Sequence, residues 1–216
     1  MDALKLRASS VALIGDIVDS RTAPDRQALH DRLEHVLDET NARVLAQDPA
    51  TITLGDEFQG VYSTLGDALA ASFRIRAGLH PMADVRFGLG RGAVSTLDPR
   101  RGIHDGPAYW AARDAIETAK ERAGQAQSRT SRTAYVSPED EPGHVAAVQA
   151  ALDCLDYMVG SLSTTSRRIL GGLMEGDTQQ DIARREGVSP SAVSQRMRRD
   201  GIGVALGAMT TLAGLP

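Results

Sequence analysis

The 216-residue sequence holds a single cysteine, Cys154, so no disulfide can form within the chain, and a reducing compartment suits it. Five histidines, at positions 30, 35, 80, 104 and 144, stand apart from that cysteine at no zinc-like spacing, which argues against a structural zinc site. No stretch approaches the roughly 18 uninterrupted apolar residues of a membrane span. The opening Met1-Asp2-Ala3-Leu4-Lys5 lacks the charged-then-apolar layout of a secretory signal, and a cytoplasmic location is expected. There is no internal repeat and no low-complexity tract. What remains is ordinary for a globular protein able to bury a core: 42% hydrophobic and 24% charged residues.

The net charge of −4 divides unevenly. Residues 160–200 carry seven arginines against five acids, a balance of +2, which leaves −6 elsewhere. A mildly basic segment of this kind supports a few phosphate contacts per subunit and no more.

Element signals run along the whole chain. Val11-Ala12-Leu13-Ile14, continuing through Gly15-Asp16 to Ile17-Val18, has the length and branching of a buried strand. Leu29, Leu33, Val36, Leu37 and Val44 recur at helical spacing. Ile52-Thr53-Leu54 and Phe58 to Tyr62 flank Gly55-Asp56-Glu57, as in two strands joined by a tight turn. Leu65, Leu69 and Phe73 mark a second helix, Val85, Phe87 and Leu89 a strand, and Ala108 to about Arg122 an alanine-rich helix. The order β-α-β-β-α-β-α predicts an α+β sandwich with helices packed on one face of a sheet, not a doubly wound parallel sheet. A short strand is expected at Thr133 to Val136. A linking helix follows from His144 to Val159, with Val145, Val148, Leu152, Leu155 and Val159 on one stripe. The division expected is 1–140, 141–160 and 161–216.

The last of these reads as a helix-turn-helix. Ser163 can cap one helix, and Thr178 with Asp181 three residues on forms a capping box for the next. Gly187-Val188 makes the turn, and Ser189 caps a third helix with Pro190 at its first position. Val193 and Met197 face inward. Ser191, Ala192, Ser194, Gln195 and Arg198 then fall on the side that would read base edges, with Arg196 and Arg199 placed for phosphates. Asp181-Ile182-Ala183 through Gly187-Val188-Ser189 to Ala192-Val193 and Arg196 resembles the sigma-factor region 4 and response-regulator type of DNA-binding module. A helical bundle used for dimerisation or protein binding is the other reading. The apolar stretch Ile202 to Leu215 suits a helix that closes a dimer or packs on the module.

Asp16 interrupts an apolar strand, and a buried carboxylate there needs a metal, an arginine or amide donors. Asp56 sits at the tip of the turn. If the two strands are neighbours, these carboxylates can share a Mg²⁺ ion against a nucleoside triphosphate; the plainer reading has Asp16 capping a turn and Asp56 filling a hairpin position that favours Asp. Four segments resemble class III nucleotidyl cyclase domains and, more distantly, diguanylate cyclases. They are Gly15 to Ser20, Gly55-Asp56-Glu57-Phe58, Arg86 to Gly92, and Gly106-Pro107-Ala108 through Arg113. The resemblance implies a ferredoxin-like, palm-like fold, Asp16 and Asp56 as metal ligands, Ile17, Val18, Asp19 and Ser20 as a phosphate loop, and Arg113 as a phosphate partner. The asparagine that the family places one helical turn before this arginine is Tyr109 here, which argues against turnover, since one lost transition-state donor costs about 10²–10³ in rate. The whole layout resembles SatD-like bacterial proteins. That resemblance implies a cyclase-like domain joined to a helix-turn-helix, and the favoured reading of the two parts is a homodimeric regulator in which ATP with Mg²⁺ biases DNA binding, against two alternatives, an active cyclase located by its helix-turn-helix and an empty dimerisation scaffold.

Overall fold

The computed structural model describes residues 6–98 and 103–216. The apolar run around Val11 forms the central strand β1 (Leu6–Ile17). It pairs antiparallel with β3 (Glu57–Tyr62) on one side and β4 (Val85–Asp98) on the other, and β2 (Asp48–Leu54) lies outside β3. Helix α1 (Arg26–Asn41) connects β1 to β2, and α2 (Leu65–Leu79) connects β3 to β4. The order β2-β3-β1-β4 is that of two interleaved β-α-β units, the ferredoxin-like arrangement expected from the element sequence. Both helices start where their caps dictate: Asp25 accepts from the amide of Ala28, and Thr64 from that of Asp67. Leu29, Leu33, Val36 and Leu37 of α1 and Leu65, Leu69 and Phe73 of α2 cover Val11, Leu13, Phe58, Phe87 and Leu89.

The sheet is covered on both faces, which corrects the expectation of helices on one face. Helix α3 (Pro107–Ala123) crosses the opposite side, where Ala108, Ala112 and Ile116 pack on Ala12, Ile14, Val61 and Val94. The reason lies in β4, whose Gly88 and Gly90 point at α3. A Cβ on Gly90 would stand 2.1 Å from the Ala112 amide nitrogen, and one on Gly88 would stand 2.2 Å from the Ala112 carbonyl oxygen. Bare backbone on the strand and alanines on the helix bring the two into direct contact. A short β5 (Ile103–Asp105), not expected from the sequence, pairs with the far end of β4. Strand β6 (Thr133–Val136) runs parallel to the near end of β4, from Phe87 to Gly90.

Five helices complete the chain: α4 (Pro142–Ser161), α5 (Thr164–Met174), α6 (Gln179–Glu186), α7 (Pro190–Arg199) and α8 (Ile202–Leu212). Val148, Leu152, Leu155 and Val159 of α4 are buried on the expected stripe. They join Ile169, Leu170, Ile182, Val193, Ile202 and Met209 in one apolar core with α2 and the sheet. A buried ion network reinforces this junction. Arg76 of α2 bonds Asp84 at 2.8 Å and Asp156 of α4 at 2.6 Å, Arg132 bonds Asp84 at 2.8 Å, and Asp156 also accepts the amides of Arg132 and Thr133. Among the described residues, no helix is long and apolar enough to cross a membrane.

Candidate functional site

The helix-turn-helix forms through the local signals that the sequence carries. Ser163 accepts from the Ser166 amide, Thr178 and Asp181 complete a reciprocal capping box, and Ser189 accepts from the Ala192 amide. Gly187 ends α6 at φ 66°, a left-handed conformation that favours glycine and turns the chain into α7. Val193 of α7 is fully buried, and Met197 is half-buried below it. On the other side Ser191, Gln195, Arg198 and Arg199 are exposed, while Ala192, Ser194 and Arg196 are half-buried at the shoulders. Arg199 bonds Asp200 at 2.7 Å, and Asp200 takes the Ser166 hydroxyl at 2.6 Å, so its charge is partly matched within the module. Elsewhere in the module Arg168 pairs with Glu186, Arg184 with Asp181 and Arg185 with Asp177. Arg196 and Arg198 make no ion pair among the described residues. Unmatched positive charge therefore lies at two arginines of α7 and, away from it, at Arg167 of α5, which among the described residues bonds only the Gly160 carbonyl.

The second assembly sits at the end of the sheet. β1 places Asp16 opposite Glu57 of β3 and Arg86 of β4. Arg86 donates to both Asp16 oxygens, at 2.8 and 3.1 Å, and Arg113 of α3 donates to both Glu57 oxygens, at 2.6 and 2.9 Å. These hydrogen bonds raise the pKa of each guanidinium, against the opposing effect of burial. Asp16 is half-buried and is satisfied by a cross-strand arginine, one of the three partners expected for it. Arg113 lies at the same sheet end but faces Glu57.

Asp56 lies in the two-residue turn between β2 and β3, next to Gly55 at φ 65°. It makes no hydrogen bond or ion pair among the described residues. Asp16 and Asp56 line one cleft of about 570 Å³, together with Asp19, Ser20 and Arg86. Ser20 and Asp56 also border an adjoining recess of about 380 Å³, with Leu29, Leu33 and Ile52 as apolar lining and Arg26 and His30 as polar lining. In the loop after β1, the Val18 amide donates to the Asp84 carbonyl at 2.9 Å, which takes it out of the expected phosphate cradle. Asp19 adopts a left-handed conformation at φ 56°, and a single 3₁₀ turn follows at Ser20–Thr22. Among the described residues, no three carboxylate, imidazole or thiol side chains converge as a metal cage. Two carboxylates with room beside them fit a Mg²⁺ ion that takes its other ligands from phosphates and water.

Tyr109 lies one turn before Arg113 but turns away from the cleft. Its ring is buried and stacks on His104, with centroids 6.4 Å apart and planes 1° from parallel. His104 in turn meets the Thr96 hydroxyl at 3.2 Å and Asp48 at 3.6 Å. The side chain at 109 belongs to packing under the β4–β5 hairpin.

The SatD family model matches residues 10–215 of this chain. No protein of curated function matches it. Among solved structures, similarity is found to a bacterial light-regulated adenylyl cyclase, at 15% identity and a TM-score of 0.45, over 55% of this chain and 42% of that one. It is also found to the catalytic core of a rhodopsin-guanylyl cyclase with converted specificity in complex with ATPαS, at 22% identity and a TM-score of 0.43, over 55% of this chain and 76% of that one. A GGDEF domain from Pseudomonas aeruginosa matches at 18% identity and a TM-score of 0.40, over 62% of this chain and 85% of that one. The match thus spans less than half the length of the light-regulated cyclase.

Proposed function

The chain belongs to the SatD family, and from that premise we propose that it is a homodimeric, DNA-binding transcriptional regulator whose cyclase-like domain binds a nucleoside triphosphate with Mg²⁺. The observation that carries the reading is α7: a fully capped helix, anchored by Val193, that offers Ser191, Gln195 and Arg198 outward beside the shoulder residues Ala192, Ser194 and Arg196. Side chains of these types on a protruding helix suit base-edge contact in a major groove, with arginines for flanking phosphates. Two copies would read two half-sites about one helical turn apart. In this reading residues 1–140 form the nucleotide-binding domain, 141–160 the linking helix and 161–216 the DNA-binding domain.

In the cleft, Asp16 and Asp56 would hold the metal, and Asp19 and Ser20 would meet the phosphates. Arg86 holds Asp16 in place, and each carboxylate oxygen has a lone pair left after the arginine bond. Mg²⁺ bound there would neutralise phosphate charge. Arg113 would have to release Glu57 to meet the same anion. Turnover is not part of the proposal, because the buried Tyr109 offers nothing to the cleft.

Selection of duplexes from a random-sequence library by the full-length protein tests the proposal. A consensus is expected, and Gln195→Ala or Arg198→Ala should lower affinity for it about tenfold, as the loss of one base contact of about 1–3 kcal/mol implies. Enrichment of no sequence, or wild-type affinity in both variants, would remove the assignment of α7.

A further inference from the structure

A third polar site lies where the helix-turn-helix meets the sheet domain. A groove of about 620 Å³ runs between α1 and α2 on one side and α5 and α6 on the other. Six arginines line it against four carboxylates. Four of the arginines are matched: Arg43 and Arg74 share Glu175, Arg168 pairs with Glu186, and Arg185 pairs with Asp177. The fourth carboxylate, Glu39, lies 3.4 Å from His35 of its own helix, an ion pair only when that imidazole is protonated.

Arg32 and Arg167 make no ion pair among the described residues, though Arg167 also borders an adjoining cavity that Asp84 and Asp156 line. Arg32 donates twice to the Gly78 carbonyl at the end of α2, at 3.0 and 2.7 Å. Arg167 donates from Nη2 to the Gly160 carbonyl at the end of α4, at 2.8 Å, and its buried Nε has no partner. The carbonyl ends of two helices offset part of this charge, each by a fraction of a unit. His80 completes the group, its Nε2 lying 3.4 Å from the Thr164 carbonyl. Burial pulls the Arg167 guanidinium below its ordinary pKa; Asp84 opposes this, and Arg76 and Arg132 add to it. A half-buried guanidinium whose buried Nε has no partner favours an anion beside it.

We propose that this groove binds a small multivalent phosphate anion, either inorganic polyphosphate or the phosphate chain of a nucleotide, through Arg32 and Arg167. Guanidinium forks match phosphate oxygens in pairs, and a groove of this volume takes a chain of phosphates. Arg32 belongs to α1 and Arg167 to α5, so the anion bridges the cyclase-like part and the helix-turn-helix. The site is separate from the Asp16–Asp56 cleft and needs no divalent ion.

Calorimetric titration of the full-length protein with tripolyphosphate in EDTA tests this. Binding is expected to weaken with salt, and to fall about tenfold or more in Arg32→Gln and in Arg167→Gln, since one charge-assisted bond is worth at least that factor. Gly171→Glu gives a second handle: a Cβ there would meet only Ala77, at 3.9 Å, so the helix accepts the residue and its carboxylate enters the groove. That variant should also bind weakly, whereas Asp16→Asn should bind as wild type does. ATP in EDTA binding more tightly than tripolyphosphate would identify a nucleotide as the source, and equal affinity would identify the phosphate chain alone. No binding to the wild type, or undiminished binding in all three groove variants, would overturn the proposal.

Discussion

Asp84 receives two guanidiniums, from Arg76 and Arg132, and the amide of Val85. Burial alone would raise its pKa, but these partners hold it below the ordinary carboxylate value. A carboxyl depressed in the folded state contributes stability that is fully present above its unfolded pKa and is lost as pH falls through the folded one. Asp84→Asn should therefore lower unfolding free energy by about 3–5 kcal/mol at neutral pH, as the loss of one partner of a buried pair does. The gap between wild type and variant should close on acidification below the carboxylate range; urea unfolding at both pH values checks this, and an equal gap at both would refute it. Sequence inspection finds carboxylates of this kind only when they interrupt a pattern. Asp16 stood out inside an apolar strand, whereas Arg86, its partner, is 70 residues away and becomes visible only through the β1–β4 register. Asp84 gave no signal even though Arg76 is eight residues away, and the partners of Asp156 lie 23 to 80 residues from it.

At the level of the element, local chemistry was the readable part. The caps at Ser163, Thr178 and Ser189 and the turn at Gly187 act within four residues of themselves, and all form as expected. The face on which α3 packs was not readable, since the glycines of β4 carry no hydrophobic pattern to mark a buried surface. Those glycines admit the helix, and a single methyl group at Gly90 would collide with the backbone of Ala112. Gly90→Ala should cost about 3 kcal/mol or more, at the upper end of overpacking penalties because backbone must move. A thermal melt unchanged from wild type would mean that α3 sits farther from the sheet than described. The short β5 escaped notice for a different reason: three residues are too few to show alternation.

Across the whole molecule the sheet domain and the helix-turn-helix share one apolar core, with α2 beneath α5 and α8. The amides of Leu65 and Gly66 donate to the carbonyls of Pro216 and Leu215, fastening the C-terminal segment to the start of α2. In the proposed function a ligand in the cleft would reach α7 only indirectly, since α2 packs on β1 and β4 and on α5 and α8, which in turn contact α7, and a coupling can be no larger than the difference in ligand affinity between two arrangements. The central claim is that such a difference exists. Its most direct test is an anisotropy titration of the selected duplex with and without Mg²⁺-ATP. The account predicts high-affinity binding whose Kd shifts about fivefold or more with the nucleotide, the shift disappearing in Asp16→Asn. Absence of duplex binding, or the same Kd in both conditions, would contradict it.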